Sequence, residues 1–95
     1  MTEKQFQNKV ISFLKAQNIY YVKVWGGGYQ KAGIPDLLCC IKGKFVALEL
    51  KTEKGTATVL QKYNLFKIQE AGGHARVLRP SEFERFKREV ITDAI

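Results

Sequence analysis

The sequence lacks several features that would place it in common protein classes. None of its apolar runs approaches the roughly 20 residues that a membrane-spanning helix needs. Residues 1–9 are polar and do not form a secretory signal, so we expect a cytoplasmic protein with no membrane partner. There are no repeats, no low-complexity segments and no internal boundary. We therefore expect a single domain over residues 1–95.

The sequence also lacks the cysteine and histidine patterns that are typical of zinc sites and disulfides. The chain has one histidine and two adjacent cysteines, Cys39 and Cys40, which do not supply a ligand set for zinc. Adjacent residues of a strand point to opposite faces, so these two thiols are poorly placed to pair with each other. We expect both to be reduced and mostly buried.

The chain is rich in positive charge. It carries 16 basic and 9 acidic residues, a net charge of +7, and its isoelectric point is about 9.6. Such a balance is typical of nucleic-acid-binding domains, although it does not identify one by itself. Because the lysines are spread along the chain, any basic surface has to be assembled by folding.

Hydrophobic periodicity and turn signals predict the element order αβββαβα. Helices are predicted over residues 2–17, 58–71 and 80–93, and each begins with a capping-box pair: Thr2 with Gln5, Thr58 with Gln61, and Ser81 with Glu84. Strands are predicted over residues 20–25, 36–41, 45–51 and 74–78. This order predicts an α/β fold with a mixed four-stranded sheet, the first helix on one face and the crossover helix on the other.

The second and third strands bring three charged residues together. A two-residue loop at Gly43-Lys44 would place Asp36 opposite Lys51. Because side chains alternate along a strand, Asp36, Glu49 and Lys51 then emerge on one face, while Leu50 points into the core. A register slip of one residue would scatter them.

These charges lie in strands that are otherwise strongly apolar. One explanation is a structural cluster of cross-strand ion pairs. The other is a site, because charges in such strands are costly unless they are paired or bind a metal. Two facing carboxylates suit a hard divalent cation such as Mg²⁺, and a neighbouring lysine suits the charge that develops when a phosphate is attacked.

Two further residues have both a structural and a functional explanation. Glu3 lies on the same helical face as Val10 and Leu14, yet a glutamate in a first turn is also favoured by the helix dipole. Gln61 follows Thr58 at the spacing of a capping box. The sequence leaves both alternatives open.

These motifs resemble the PD-(D/E)XK nuclease superfamily, and specifically its VRR-NUC group of stand-alone phage and bacterial domains. The resemblance covers nearly the whole chain and rests on Glu3, Gly33-Ile34-Pro35-Asp36, Glu49-Leu50-Lys51, Gln61 and Ala71-Gly72-Gly73. It implies a restriction-endonuclease-like αβββαβ core with an extra C-terminal helix.

The resemblance also implies roles for individual residues. Asp36 and Glu49 would bind Mg²⁺ or Mn²⁺, with the Leu50 carbonyl as a further ligand. Lys51 would serve the attacking water, and Glu3 and Gln61 would complete the site.

The glycine-rich segment 26–33 precedes Asp36. It holds Tyr29, Gln30 and Lys31, with Trp25 at its edge, and such residues suit contacts with nucleic-acid backbone and bases. The alternative is a plain connection in which Trp25 belongs to the core.

We expect a metal-dependent DNA endonuclease, selective for branched or four-way junction DNA. The alternatives are a non-catalytic nucleic-acid-binding module on the same fold and an RNA-cleaving nuclease.

The second helix is apolar on more than one side: Val59, Tyr63 and Phe66 lie on one side, Leu65 and Ile68 on another. The excess predicts a homodimer, unless the last helix covers it within one chain.

Overall fold

The elements follow the predicted order αβββαβα in the computed structural model, which describes residues 1–25 and 32–95. The helices are α1 (Glu3–Ala16), α2 (Val59–Glu70) and α3 (Phe83–Ile91), and the 3₁₀ turn Pro80–Glu82 precedes α3. The strands are β1 (Tyr20–Lys23), β2 (Leu37–Ile41), β3 (Lys44–Leu50) and β4 (His74–Leu78). Within the described ranges, no helix is both long and apolar enough to span a bilayer.

The four strands form one mixed sheet in the order β1-β2-β3-β4. Strand β2 is antiparallel to β1 and β3, whereas β4 is parallel to β3 and is reached through α2. Strand β3 thus has hydrogen-bonded neighbours on both edges, and its residues Val46–Leu50 are all buried. This arrangement confirms the predicted mixed sheet.

Helices α1 and α3 cover one face of the sheet, and α2 covers the other. On the first face α1 and α3 enclose a buried cluster that includes Phe6, Leu14, Leu48, Phe86 and Val90. On the second face α2 packs Leu65 against Ala47 and Ala75, with Ile68 beside them. The prediction that α1 and α2 lie on opposite faces is confirmed.

Two of the three predicted capping boxes are present. The Thr2 hydroxyl accepts from the Gln5 N–H at 3.1 Å, and the Gln5 side chain accepts from the Thr2 N–H at 2.9 Å. The same exchange links Thr58 and Gln61 at 3.1 and 2.8 Å. Both boxes form because their partners are three residues apart and need no tertiary contact.

The predicted cap of the last helix is wrong. The Ser81 hydroxyl donates to Glu53 at 2.9 Å instead of capping. A 3₁₀ turn precedes the helix, and there the Glu82 carboxylate accepts from the Arg79 N–H at 3.0 Å. Helix α3 consequently begins at Phe83. The Ser81 hydroxyl therefore bonds to the distant Glu53 carboxylate and does not form the helix cap that the local pattern predicted.

The β2–β3 turn differs from the prediction by its position. Ile41 pairs with Lys44, so the two-residue loop is Lys42-Gly43 rather than Gly43-Lys44. Both loop residues have positive φ, 51° and 82°, which is the backbone of a type I′ turn. The register is therefore shifted by two residues, and because two is the side-chain period, every residue keeps its predicted face.

The two cysteines lie on opposite faces and are not bonded to each other. Cys39 is buried, and burial raises the pKa of its thiol to about 12, so it stays protonated. Cys40 is exposed, which corrects the prediction that both are mostly buried. Helix α2 does not extend over this part of the sheet.

Gly33 lets the segment before Asp36 approach α2 closely. Its φ is +84°, and a Cβ added there would lie 2.7 Å from Leu60 Cγ and 2.9 Å from both Asn64 Nδ2 and the Leu60 carbonyl. Gly43 has almost the same φ, +82°, but no atom would lie within 4 Å of its Cβ. The two glycines differ in packing and share a backbone conformation.

We predict that Gly33→Ala destabilises the protein more than Gly43→Ala. The matched φ values give both variants a backbone penalty of about 1–2 kcal/mol, while the contacts at residue 33 add about 1–3 kcal/mol of overpacking. Urea unfolding of the two variants and wild type measures the difference. Equal losses in the two variants would contradict the close approach.

Candidate active site

Asp36 and Glu49 come together where β2 begins and β3 ends. Continuing the β2–β3 register by one residue beyond the Leu37–Leu48 pair places Asp36 beside Glu49. The Asp36 carboxylate also crosses to β3, where its Oδ2 accepts from the Leu50 N–H at 2.8 Å. The Asp36 carbonyl accepts from the N–H of Val24, the residue after β1, at 2.9 Å, so Asp36 is held from both neighbouring segments.

Lys51 and Gln61 approach Glu49 from two other elements. Lys51 directly follows β3, and its Nζ lies 3.5 Å from Glu49 Oε2. Gln61 stands in the first turn of α2, and its Nε2 donates to the same oxygen at 3.2 Å. The structure thus brings Asp36, Glu49, Lys51 and Gln61 into one cluster, on the side of the sheet that α2 covers.

Glu49 is the most buried charged residue of this cluster, with 3% of its side chain exposed. Its pKa is raised to about 7: burial contributes most, and the Asp36 carboxylate beside it adds to the effect. Lys51 acts in the opposite sense and favours the charged form. The countercharge from Lys51 is therefore too small to offset burial and the neighbouring carboxylate at Glu49.

The residues present fit a divalent cation. Glu49 Oε1 is buried and has no hydrogen-bond partner among the described residues, so one carboxylate oxygen is left to bind an external group. Mg²⁺ and Mn²⁺ prefer oxygen ligands, and Mg²⁺ is commonly held by one or two carboxylates while it keeps waters and substrate phosphates. Within residues 1–25 and 32–95 there is no group of three or more His, Cys, Asp or Glu residues of the kind that would hold a metal without help.

Of the other predicted site side chains, Glu3 and Trp25 fall within the described residues, and neither makes a hydrogen bond or ion pair with this cluster there. Glu3 is exposed in the first turn of α1, and no hydrogen bond or ion pair within the described ranges joins it to the other carboxylates. Trp25 is 70% exposed, so it does not belong to the core; the Lys23 ammonium lies 4.6 Å from its ring centroid. Tyr29, Gln30 and Lys31 lie outside the described residues, and their contacts with nucleic acid stay predictions.

Sequence reasoning missed the residues that hold the chain between Lys51 and Thr58. The Arg79 guanidinium donates to backbone carbonyls of this segment, and Glu53 accepts from Ser81. Their partners are 24 to 28 residues apart in sequence. No local periodicity or capping signal reports a contact of that separation.

The fold is similar to that of a solved protein, Hjc from Archaeoglobus fulgidus, a Holliday junction resolvase from an archaeal hyperthermophile. The TM-score is 0.61 and the identity 19%, over 80% of this chain and 66% of that one, so the chain spans just under two thirds of the resolvase. No family model and no curated protein matches the sequence. The similarity confirms the restriction-endonuclease-like fold class, while membership of the VRR-NUC group stays a prediction.

We predict that Glu49→Gln stabilises the metal-free protein at pH 8 and not at pH 4. A carboxyl whose pKa is raised on folding destabilises the native state above that pKa, and the penalty fades as pH falls from about 7 towards the unfolded value. The expected gain at pH 8 is on the order of 2–3 kcal/mol.

Unfolding with denaturant in EDTA, at pH 4, 6 and 8, measures this gain. Glu84→Gln is the matched control, because the Glu84 side chain is 72% exposed. A Glu49→Gln gain that stays constant with pH, or that grows towards pH 4, would rule out a raised pKa at Glu49.

Proposed function

We propose that this protein is a nuclease that hydrolyses DNA phosphodiester bonds with Mg²⁺ or Mn²⁺, and that it selects branched DNA such as a four-way junction. The observation that carries the proposal is the buried Glu49 carboxylate, which meets Asp36, Lys51 and Gln61 and keeps one oxygen without a partner. Buried polar atoms are normally satisfied, so a free carboxylate oxygen among these residues favours an external ligand.

Asp36 and Glu49 are the residues that would hold the metal, with the Leu50 carbonyl as a further ligand and Glu3 as an additional candidate. Bound there, the ion supplies Lewis-acid activation of water and offsets charge on the phosphoryl oxygens. The hydrogen bond from the Leu50 N–H holds the Asp36 carboxylate by Oδ2, one of the two oxygens that would be available to a metal. A carboxyl group must be ionised to bind a metal. Because the pKa of Glu49 lies near 7 in the metal-free protein, metal binding would have to displace its proton below that pH.

Lys51 and Gln61 both contact Glu49 Oε2, and they have different roles in the proposal. The Lys51 ammonium, 15% exposed and within 3.5 Å of Glu49, is placed to position the attacking water and to stabilise negative charge on the phosphate. The Gln61 amide holds Glu49 Oε2 and leaves Oε1 for the ion. Each group is fixed by a different element, which keeps the geometry rigid before substrate arrives.

Two observations support DNA, and branched DNA in particular. The net charge of +7 favours a polyanionic partner, and the structural neighbour is a Holliday junction resolvase. The predicted contacts with DNA from Trp25, Tyr29, Gln30 and Lys31 are part of this proposal. A non-catalytic binding module and an RNA-cleaving nuclease are the alternatives that the experiment separates.

We predict cleavage of four-way junction DNA in Mg²⁺ or Mn²⁺ and none in EDTA. The test is a panel of labelled duplex, single-stranded, flap and four-way DNA together with RNA, incubated with the purified chain. Asp36→Asn, Glu49→Gln and Lys51→Ala should each lower the turnover by about 100-fold or more, since each removes a group that acts on the transition state.

Glu84→Gln and Lys15→Ala, both exposed positions outside the cluster, serve as matched controls. Binding without cleavage under every metal condition would establish the non-catalytic module. Cleavage of RNA alone would establish the RNA nuclease. Undiminished cleavage in EDTA by pure protein would end the metal-dependent mechanism.

The homodimer is part of the proposal because α2 leaves an apolar face exposed. Leu65 and Ile68 pack on the sheet, whereas Val59, Tyr63 and Phe66 are 86, 51 and 55% exposed. Helix α3 packs on the opposite face of the sheet beside α1, so it does not cover them. Exposed apolar side chains in this number are typical of an interaction surface.

We predict that the chain sediments as a dimer at micromolar concentration and that Phe66→Glu yields a folded monomer. The added charge would have to be buried without a partner in the dimer, which is strongly unfavourable. Ile91→Glu is the matched control, because Ile91 on α3 is also exposed, at 59%. A monomeric wild type, or equal dissociation by both substitutions, would contradict this interface.

A further inference from the structure

The chain between Lys51 and Thr58 joins two residues of the candidate active site. Lys51 closes the β3–β4 ladder by donating its N–H to the Leu78 carbonyl at 3.1 Å. After six residues the chain reaches Thr58, the cap of α2, and then Gln61 in its first turn. Residues 52–57 are therefore the direct covalent link between the two side chains that contact Glu49 Oε2.

This segment has little apolar anchoring of its own. Ala57 is its one buried side chain, while Glu53, Lys54 and Thr56 are exposed. A local turn forms at its start, where the Gly55 N–H donates to the Thr52 hydroxyl at 3.1 Å. An exposed turn of this kind is not held in place by hydrophobic burial, so its position relative to the sheet must come from polar contacts.

Arg79 supplies those contacts. Its Nη1 donates to the carbonyls of Thr52 and Gly55, both at 2.6 Å, and lies 3.3 Å from the Glu53 carbonyl. Arg79 directly follows β4, so its backbone is fixed by the strand that neighbours β3. The guanidinium is permanently charged and planar, which makes its hydrogen bonds to carbonyls stronger and more directional than neutral ones.

A second contact ties the same segment to the start of the 3₁₀ turn. The Glu53 carboxylate accepts from both the N–H and the hydroxyl of Ser81, the latter at 2.9 Å. Residues 52–55 are thus linked twice to residues 79–81. Within the described ranges, neither Arg79 nor Glu53 makes a hydrogen bond or ion pair with Glu49.

We infer that Arg79 is a positioning residue for the proposed nuclease: it locks residues 52–55 so that Lys51 and Gln61 converge on Glu49. The inference rests on the proposed function. It assigns Arg79 to the catalytic step rather than to metal binding, because Asp36 and Glu49 are placed by the β2–β3 pairing, which does not depend on residues 52–55.

The test compares Arg79→Ala, Arg79→Lys and wild type, with Arg88→Ala as the control of equal charge change. Arg88 is exposed on α3, and its side chain makes no hydrogen bond or ion pair within the described ranges. Three quantities are measured well below the melting temperature: kcat on junction DNA, the Kd for Mn²⁺ alone by titration calorimetry, and amide hydrogen exchange in residues 51–61.

Arg79→Ala should lower kcat by about 10- to 100-fold, the cost of misplacing catalytic groups by a fraction of an ångström or more. The Mn²⁺ Kd should change much less than kcat, because the β2–β3 pairing and the Leu50 N–H bond that place both carboxylates are retained. Exchange should rise in residues 51–61 and not in α1. Arg79→Lys keeps the charge and should recover part of kcat, while Arg88→Ala should match wild type.

Unchanged kcat in a folded Arg79→Ala protein, or unchanged exchange in residues 51–61, would overturn the inference. So would a loss of Mn²⁺ affinity as large as the loss of kcat, since that would indicate general disruption of the site. Wild type that cuts no nucleic acid would instead overturn the proposed function first. The wild-type arm therefore distinguishes the two failures.

Discussion

The burial of the Glu49 carboxylate is the constraint on which the arrangement of the candidate site depends. A charged group in the central strand, with 3% of its side chain exposed, is stable only when its surroundings supply hydrogen bonds or countercharge. The N–H of the next residue in its own strand, Leu50, is already engaged by the Asp36 carboxylate. The partners must come from elsewhere, and they are Lys51, which directly follows β3, and Gln61 in the first turn of α2.

Gln61 shows how one side chain can serve both the fold and the site. Its Oε1 accepts from the Thr58 N–H in the capping box, while its Nε2 donates to Glu49 Oε2. The capping-box explanation of this residue is therefore confirmed, while its functional role stays a prediction that the contact with Glu49 supports. The shared amide also fixes the start of α2 against β3, so the helix cannot shift along its axis without breaking either its cap or its contact with the carboxylate.

The features that the sequence predicted well are those that depend on short separations or on side-chain alternation. The Thr2 and Thr58 caps need only a partner three residues away. The grouping of Asp36, Glu49 and Lys51 on one face survived a register error of two residues, because that shift preserves alternation. The error arose because Lys42 adopts a positive φ, which a side chain other than glycine rarely does.

The features that escaped prediction depend on contacts between distant segments. Ser81 has the pattern of a helix cap, yet it bonds to Glu53, 28 residues away. Arg79 has no local pattern at all, since its partners are three carbonyl groups whose positions exist only after the sheet has formed. Every residue has a backbone carbonyl, so the types of residue in the sequence do not indicate which carbonyls Arg79 bonds.

The two faces of the sheet bury different amounts of apolar side chain, which explains how so small a domain tolerates a buried carboxylate. The large apolar side chains, among them Phe6, Leu14, Leu48 and Phe86, lie on the face that α1 and α3 cover. The other face buries a smaller set around Ala47, Leu65 and Ala75, and it also holds Glu49. Because most of the apolar burial lies across the sheet from the carboxylates, the energetic cost of the site falls on the side that contributes least to hydrophobic stability. The α2 side is consequently where charge, exposed apolar surface and close glycine packing can be combined without loss of the main core.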